Sequence, residues 1–214
     1  MTITHHPSDL TLAALASGTL DEARAVVVAA HLSLCPHCRE AMSSFENVGG
    51  VQLETAVPAE MSTGALERAI ARVSAQVSEA GQGARPQRAQ AGALPASLAP
   101  YTLGSWRWIG CNVQWRSVDV ASDDGVRVFM LKAAAGTRLP RHRHSGTEWT
   151  CVFEGAFRHD FGRFGAGDFD EADELVEHNP VVEDGVPCVC LVALQGNIEL
   201  QSWVGRLLQP FVRL

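Results

Sequence analysis

The chain has 214 residues, 46% of them hydrophobic, and a formal net charge of −7. This length allows one large or two small domains, each with its own apolar core. The basic residues are sixteen arginines and the single Lys132, and acidic residues outnumber them. This balance argues against a protein that holds nucleic acid by neutralising its phosphates.

The sequence also argues against a membrane or secreted protein. The longest apolar run, Ala25 to Ala30, is far below the ~20 residues that cross a bilayer, and the N-terminus lacks a secretory signal pattern. Of the six cysteines, two form a C-x2-C four residues after a histidine. In a chain without a signal peptide this spacing favours metal over disulfides, and we expect a cytoplasmic protein.

Residues 1–80 are predicted to be helical. Ser8 is placed to cap a first helix, and Thr19-Leu-Asp-Glu22 has the pattern of a capping box for a second. Pro36 fits the first turn of a third helix, which Gly49-Gly50 is expected to end. A fourth segment begins near Ser62.

The fourth segment carries an apolar stripe at helical period: Leu66, Ile70, Val73 and Val77. One interpretation is that this stripe packs onto the other three helices. The other is that it docks on a partner, because the preceding loop would let the helix swing away.

The sequence His31-Leu-Ser-Leu-Cys35-Pro-His-Cys38 has the H-x3-C-x2-C spacing of a zinc site. Structural zinc takes four ligands in a tetrahedron, with thiolates and imidazoles preferred. Three of them are local here, and His5 or His6 is the natural source of the fourth. The alternative is two core cysteines beside a solvent-exposed histidine.

This stretch resembles the zinc-binding anti-sigma domain, over about the first 80 residues. The resemblance implies zinc held by His6, His31, Cys35 and Cys38. It also implies that the helical bundle binds an extracytoplasmic-function sigma factor.

A change of character separates the two halves of the chain. Residues 81–100 are small, polar and interrupted by proline and glycine, and predict a flexible linker without a core. All five tryptophans follow from residue 101 onward, in short alternating runs separated by turns. Residues 101–214 therefore predict an all-β sandwich or barrel. We call residues 1–80 the helical domain and residues 101–214 the β domain.

The β domain contains a second candidate metal site. His142 and His144 are two residues apart, so on a strand they share a face. Glu148 follows after a short turn, and Gly136 and Gly155 bracket the segment as turn residues. The three side chains are therefore expected to converge on one metal.

These residues match the first cupin motif, G-x5-H-x-H-x3-E-x6-G, at every position. Phe164-Gly-Ala-Gly-Asp168 resembles the second motif without its proline, and the resemblance implies His178 as the fourth ligand. The implied fold is a helical zinc-binding bundle linked to a C-terminal cupin barrel. A three-histidine, one-glutamate site suits zinc, iron, manganese or nickel, and ligand softness alone does not choose among them. We expect Zn²⁺.

A helical zinc domain, a linker and a cupin in this order resemble the ChrR-type cupin anti-sigma factors. The resemblance implies inhibition of a sigma factor and its release on oxidative stress, such as singlet oxygen, sensed by the cupin. The alternative is a metal-dependent cupin dioxygenase or isomerase. Against an enzyme, nearby Asp168, Glu171 and Glu177 are expected to be solvated loop residues. A homodimer through the cupin stays open.

Cys188 and Cys190 lie on one face of a predicted strand. Thiols at this spacing can meet, so an oxidative sensor could use them. The alternative is core packing, because free cysteine behaves as a small hydrophobic residue.

Overall fold

The computed structural model describes residues 2–80, 94–122 and 124–200, and the side chains of the first range up to residue 75. In these ranges the chain forms four α-helices followed by thirteen β-strands. This order confirms the predicted fold class of a helical domain before a β domain. Within the same ranges, no helix has both the length and the apolar character needed to span a membrane.

Local sequence signals set the starts of two helices as predicted. The helices are α1 Asp9–Ala16, α2 Glu22–Leu34, α3 Pro36–Thr55 and α4 Ala65–Ala80. The Ser8 hydroxyl caps α1 by accepting a hydrogen bond from the Thr11 amide, which satisfies a donor that has no partner inside the helix. Pro36 begins α3, where its missing N–H costs nothing.

Two other predicted helix limits are wrong. Asp21, and not Thr19, caps α2 through its carboxylate. The third helix continues through Gly49 and Gly50 to Thr55. Neither glycine adopts the positive φ that commonly ends a helix, so the pair lowers the local helix propensity without ending the helix.

The apolar stripe of α4 faces solvent. Leu66, Ile70 and Val73 are 63%, 57% and 60% exposed. The side chain of Val77, the fourth member of the predicted stripe, lies outside the described residues. In the described part of the helix, the stripe therefore does not pack onto the other three helices, contrary to the first of the two interpretations.

Part of the predicted linker packs against the helical domain. Residues 81–93 lie outside the described ranges, but Ala96–Leu98 forms a 3₁₀ turn that contacts α2. Leu98 is only 2% exposed, and the Tyr101 hydroxyl donates a hydrogen bond to Glu22 over 2.8 Å. The prediction that no residue of this stretch enters a core is wrong at Leu98.

The strands of the β domain pair in one seven-stranded and two three-stranded antiparallel sheets. Within the described residues these sheets do not close into one continuous barrel. The strands are β1 Thr102–Leu103, β2 Arg107–Gly110, β3 Val113–Asp119, β4 Arg127–Ala133, β5 His142–His144, β6 Glu148–Glu154, β7 Ala156–His159, β8 Gly162–Gly165, β9 Phe169–Ala172, β10 Glu177–His178, β11 Val181–Val182, β12 Cys188–Leu194 and β13 Ile198–Leu200. The large sheet has the order β1-β3-β4-β12-β6-β9, with β2 paired to β3. The small sheets have the orders β10-β5-β13 and β11-β7-β8.

The helical domain and the large sheet share one apolar core. Val27 from α2 belongs to the same cluster of buried side chains as Phe169 and Leu191 from the sheet. Helix α2 lies against β6 and β12, and the Arg24 guanidinium donates a hydrogen bond to Gln195 over 2.7 Å. The helical domain is therefore seated directly on the β domain.

Candidate metal centres

Four side chains of the helical domain meet where α2 joins α3. His31 lies in the last turn of α2, Cys35 is the N-cap of α3, Cys38 follows in its first turn, and His6 precedes α1. His6 Nδ1 is 3.4 Å from Cys35 Sγ and 3.3 Å from Cys38 Sγ. His31 Nε2 is 3.2 Å from Cys38 Sγ. Nitrogen and sulfur ligands of tetrahedral zinc lie about 3.6 Å apart, so the group fits a zinc ion.

Burial and one hydrogen bond prepare His31 to bind metal. Its Nδ1 lies 2.8 Å from the carbonyl oxygen of Gly167, which can only accept, so Nδ1 carries the proton and Nε2 presents a lone pair. Burial lowers the pKa of His31 to about 4, which keeps the ring neutral at pH 7. Burial also raises the pKa of the Cys38 thiol to about 12, so a metal ion must displace that proton.

The structure brings His6, and not His5, to the two cysteines. The His5 amide donates to Asp168 Oδ1 over 3.0 Å, and its carbonyl accepts from the Phe169 amide over 3.1 Å. The His5 ring lies against Phe164, with 4.3 Å between the ring centroids. His5 therefore contacts the β domain while His6 reaches the cysteines.

A second group of histidines converges inside the β domain. His142 and His144 on β5 are 7% and 1% exposed, which confirms their predicted common face. His178 on β10 pairs directly with His142. His178 Nε2 lies 3.1 Å from His142 Nε2 and 3.2 Å from His144 Nε2, close to the separation of about 3.3 Å between nitrogen ligands of tetrahedral zinc.

Glu148 begins β6 and lies next to His144, but its carboxylate is not among the donor atoms that cluster with the three histidines. Its Oε2 is 3.6 Å from His144 Nε2. Burial raises the pKa of Glu148 to about 7, whereas burial lowers the pKa of His144 to about 4 and that of His178 to about 3. The imidazoles are therefore ready to bind metal at pH 7, and a bound cation would drive the proton from Glu148.

Two residues next to this group, His159 on β7 and Asp170 on β9, were not predicted from the sequence. His159 Nε2 lies 3.0 Å from Asp170 Oδ2, and its ring centroid is 5.0 Å from that of His178. Together with His178 they form another set of donors close enough for one metal. Neither residue belongs to the cupin motif. The sequence signal that could have indicated His159 was its position two residues after Phe157, which places both side chains on one face of a strand.

The histidine group opens on a cavity of about 410 Å³. His142, Glu148, Asp170 and His178 are among the polar residues that line it. Its walls are mostly apolar and include Val113, Phe129, Leu131, Leu139, Val192 and Ile198. A metal at this site would therefore face an apolar space large enough for a small molecule.

Cys188 and Cys190 line the same cavity. Their sulfur atoms are 3.5 Å apart, and both side chains are buried. A hydrogen bond with Cys188, together with burial, raises the pKa of the Cys190 thiol. The Cys190 thiol is therefore protonated at neutral pH, and the Cys188 sulfur lies directly beside it.

The expectation that nearby acidic residues are solvated is wrong for two of them. Asp168 is 3% exposed and accepts hydrogen bonds from the amides of Thr4 and His5, over 2.7 and 3.0 Å. Glu171 accepts from the Ser8 amide over 2.9 Å. Both carboxylates hold the segment before α1 against the β domain.

Comparisons with known proteins agree over nearly the whole chain. The ChrR Cupin-like domain family matches residues 102–197. The anti-sigma-E factor ChrR of Cereibacter sphaeroides is 38% identical over 219 aligned positions, which span 100% of both chains. The crystal structure of Rhodobacter sphaeroides SigE in complex with the anti-sigma ChrR contains a chain that matches with a TM-score of 0.73 and 36% identity, over 91% of this chain and 100% of that one. With this full-length similarity and two clustered donor sets, the chain belongs to the ChrR family of cupin-containing anti-sigma factors.

Proposed function

We propose that this protein binds and inhibits an extracytoplasmic-function sigma factor through its helical domain and releases it under oxidative stress. The observation that carries the proposal is the full-length similarity to ChrR, together with the match to a structure of ChrR bound to SigE. These relatives are regulatory proteins, so the comparisons favour a regulator over the alternative of a cupin dioxygenase or isomerase.

In this proposal, zinc organises the helical domain. His6, His31, Cys35 and Cys38 would hold it as a closed set of two imidazoles and two thiolates, which is typical of structural zinc. A bound zinc ion supplies a cross-link between α2, α3 and the N-terminal segment. Because such sites contribute folding free energy, loss of the metal would disorganise the sigma-binding surface.

The exposed stripe of α4 is our candidate for contact with the sigma factor. Leu66, Ile70 and Val73 project from one helix face and are more than half exposed. An amphipathic helix with apolar side chains at this spacing is suited to lie in a groove of a partner. The burial that this stripe lacks within the chain would then be supplied by the sigma factor.

The cupin domain is our candidate for the signal receiver. His142, His144, Glu148 and His178 would hold a divalent cation, with Zn²⁺ preferred and iron, manganese or nickel also compatible with the donor set. The signal would be singlet oxygen or a related oxidant. We place the complex in the cytoplasm, where a sigma factor meets RNA polymerase.

The proposal is tested by co-expressing the tagged full chain with candidate extracytoplasmic-function sigma factors and measuring bound zinc. We expect one sigma factor to co-purify with the wild-type chain. Cys35→Ser and Cys38→Ser should lose both zinc and the sigma factor, because the remaining ligands no longer complete the tetrahedron.

Cys111→Ser is the matched control, since Cys111 is an exposed cysteine outside both groups of donors. This variant should keep zinc and partner. Tight sigma binding by a zinc-free Cys38→Ser protein would contradict a structural role for the metal. Failure of the wild-type chain to retain any candidate sigma factor would contradict the proposed function itself.

A further inference from the structure

We propose that two residues of the cupin domain, Gly167 and Asp168, are positioning residues of the zinc site in the helical domain. This inference rests on the proposed binding of zinc by His6, His31, Cys35 and Cys38. The four ligands all come from the helical domain, but the groups that orient two of them come from the turn between β8 and β9. The zinc affinity of the anti-sigma domain therefore depends on its seating against the cupin.

Gly167 orients His31. Its carbonyl oxygen accepts a hydrogen bond from His31 Nδ1 over 2.8 Å, and this bond directs Nε2 towards Cys38. Phe169, two residues after Gly167, packs its ring edge-to-face against the His31 imidazole, with 5.6 Å between the ring centroids. Outer partners of this kind fix the tautomer and rotation of a metal-binding histidine. Here the hydrogen-bond acceptor, Gly167, lies 136 positions away in the chain.

Asp168 orients the segment that carries His6. Its Oδ1 accepts from the Thr4 and His5 amides over 2.7 and 3.0 Å, and the neighbouring Phe169 amide donates to the His5 carbonyl over 3.1 Å. These bonds fix the backbone immediately before His6. Because His6 lies outside α1, contacts of this kind are what position it.

The packing around Gly167 reinforces this attachment. Gly167 has a φ of +91°, and a side chain here would place its Cβ 2.6 Å from Ile3 Cδ1. The N-terminal segment therefore lies directly on the turn, in space that only glycine leaves open.

The same stretch of chain continues into the cupin site. Asp170, two residues after Asp168, lines the cavity and lies 3.0 Å from His159, whose ring neighbours His178. Four consecutive residues, 167–170, thus touch the zinc ligands at one end and the cupin donors at the other. A shift of β9 at the cupin site would alter the groups that orient His31 and His6.

The test measures metal affinity at the zinc site in the full-length protein. Co²⁺ serves as the probe, because thiolate-to-cobalt charge-transfer absorption reports the cysteine-containing site. Competition with Zn²⁺ then gives the zinc affinity of that site.

Asp168→Asn and Thr4→Pro are the variants. The first weakens the acceptor, and the second removes the Thr4 N–H donor without changing any residue of the cupin. We expect each to lose about tenfold or more in zinc affinity, as for other outer partners of metal-binding histidines.

Gln195→Ala is the matched control, because it removes another hydrogen bond between the domains, from Arg24 in the first turn of α2, which is about two helical turns from His31. Its zinc affinity should stay within about twofold of wild type. Unchanged affinity in both Asp168→Asn and Thr4→Pro would overturn the inference, and so would an equal loss in Gln195→Ala. A wild-type chain that shows no thiolate–cobalt band would instead overturn the proposed zinc site itself.

Discussion

Burial sets the protonation of individual side chains at the cupin site, and it does so in opposite directions for acids and bases. His144 and His178 lose their proton well below neutral pH, whereas Glu148 keeps its proton until pH approaches about 7. Desolvation disfavours the charged form in each case. The pH dependence of metal binding above pH 6 should therefore come mainly from the single carboxyl group of Glu148.

The metal affinity of the cupin site should therefore vary with pH. Because burial raises the pKa of Glu148 from 4.5 to about 7, metal and proton compete there, and affinity should rise about tenfold per pH unit up to about pH 7 and then level off. In Glu148→Gln the affinity should be lower and this rise absent. Competition titrations between pH 6 and 8 measure both effects.

The same pKa shift has a consequence for the metal-free protein. A carboxyl group whose pKa is higher in the folded state stabilises the fold below its unfolded pKa, and that contribution is lost as pH rises towards about 7.

Glu177→Gln, which changes a more exposed carboxylate on β10, is the control for the metal titrations and should keep the wild-type dependence of metal affinity on pH. An unchanged slope in Glu148→Gln would contradict the assignment.

The paired thiols of β12 support a separate prediction. If Cys188 and Cys190 take part in sensing the oxidant, their replacement together by serine should abolish release of the sigma factor while leaving inhibition intact. Their sulfur separation of 3.5 Å suits such a role, and their position in the core suits simple packing equally well. A reporter driven by the sigma factor, with and without oxidant, measures the response; normal induction in the double variant would leave packing as their role.

Among the elements, α4 differs from the other helices because its apolar face has no partner within the described chain. Leu66→Glu and Ile70→Glu should therefore weaken sigma binding without harming the fold or the zinc site. Burying one leucine contributes about 1.5–3 kcal/mol, so each change should raise the dissociation constant at least about tenfold. Calorimetric titration of the sigma factor with each purified variant measures the effect.

Ala75→Glu is the matched control on α4. Ala75 is exposed, and at 100° per residue it lies on the helix face opposite the stripe. This variant should bind like wild type. Equal weakening by Ala75→Glu would indicate that added negative charge, and not the apolar stripe, governs the association.

The elements also show which sequence signals were sufficient. Ser8 and Pro36 marked helix starts correctly because capping and the first-turn position of proline depend only on neighbouring residues. The Gly49-Gly50 pair misled because low helix propensity is a weak effect. The burial of Leu98 was not predicted, for a different reason. A composition typical of linkers does not show that a single leucine packs against α2.

Across the whole molecule, the order of helices and strands and the clustering of the histidines and cysteines of both candidate sites could be predicted, but the contacts between the two domains could not. From the sequence, Asp168 and Glu171 were expected to be solvated loop residues, whereas the fold places their carboxylates against the segment before α1. His159 and Asp170 were missed because they reach the histidine group from β7 and β9, outside the motif. Each of these relations joins strands or domains that are distant in the chain.

Ligand spacing is local, so H-x3-C-x2-C and H-x-H-x3-E were enough to locate both candidate metal centres. The choice of His6 over His5 is different in kind. It depends on hydrogen bonds from Thr4 and His5 to Asp168, across separations of 164 and 163 residues, and the orientation of His31 depends on the equally remote Gly167. Only the packed structure decides such contacts, because they form when the helical domain is seated on the sheet and not before.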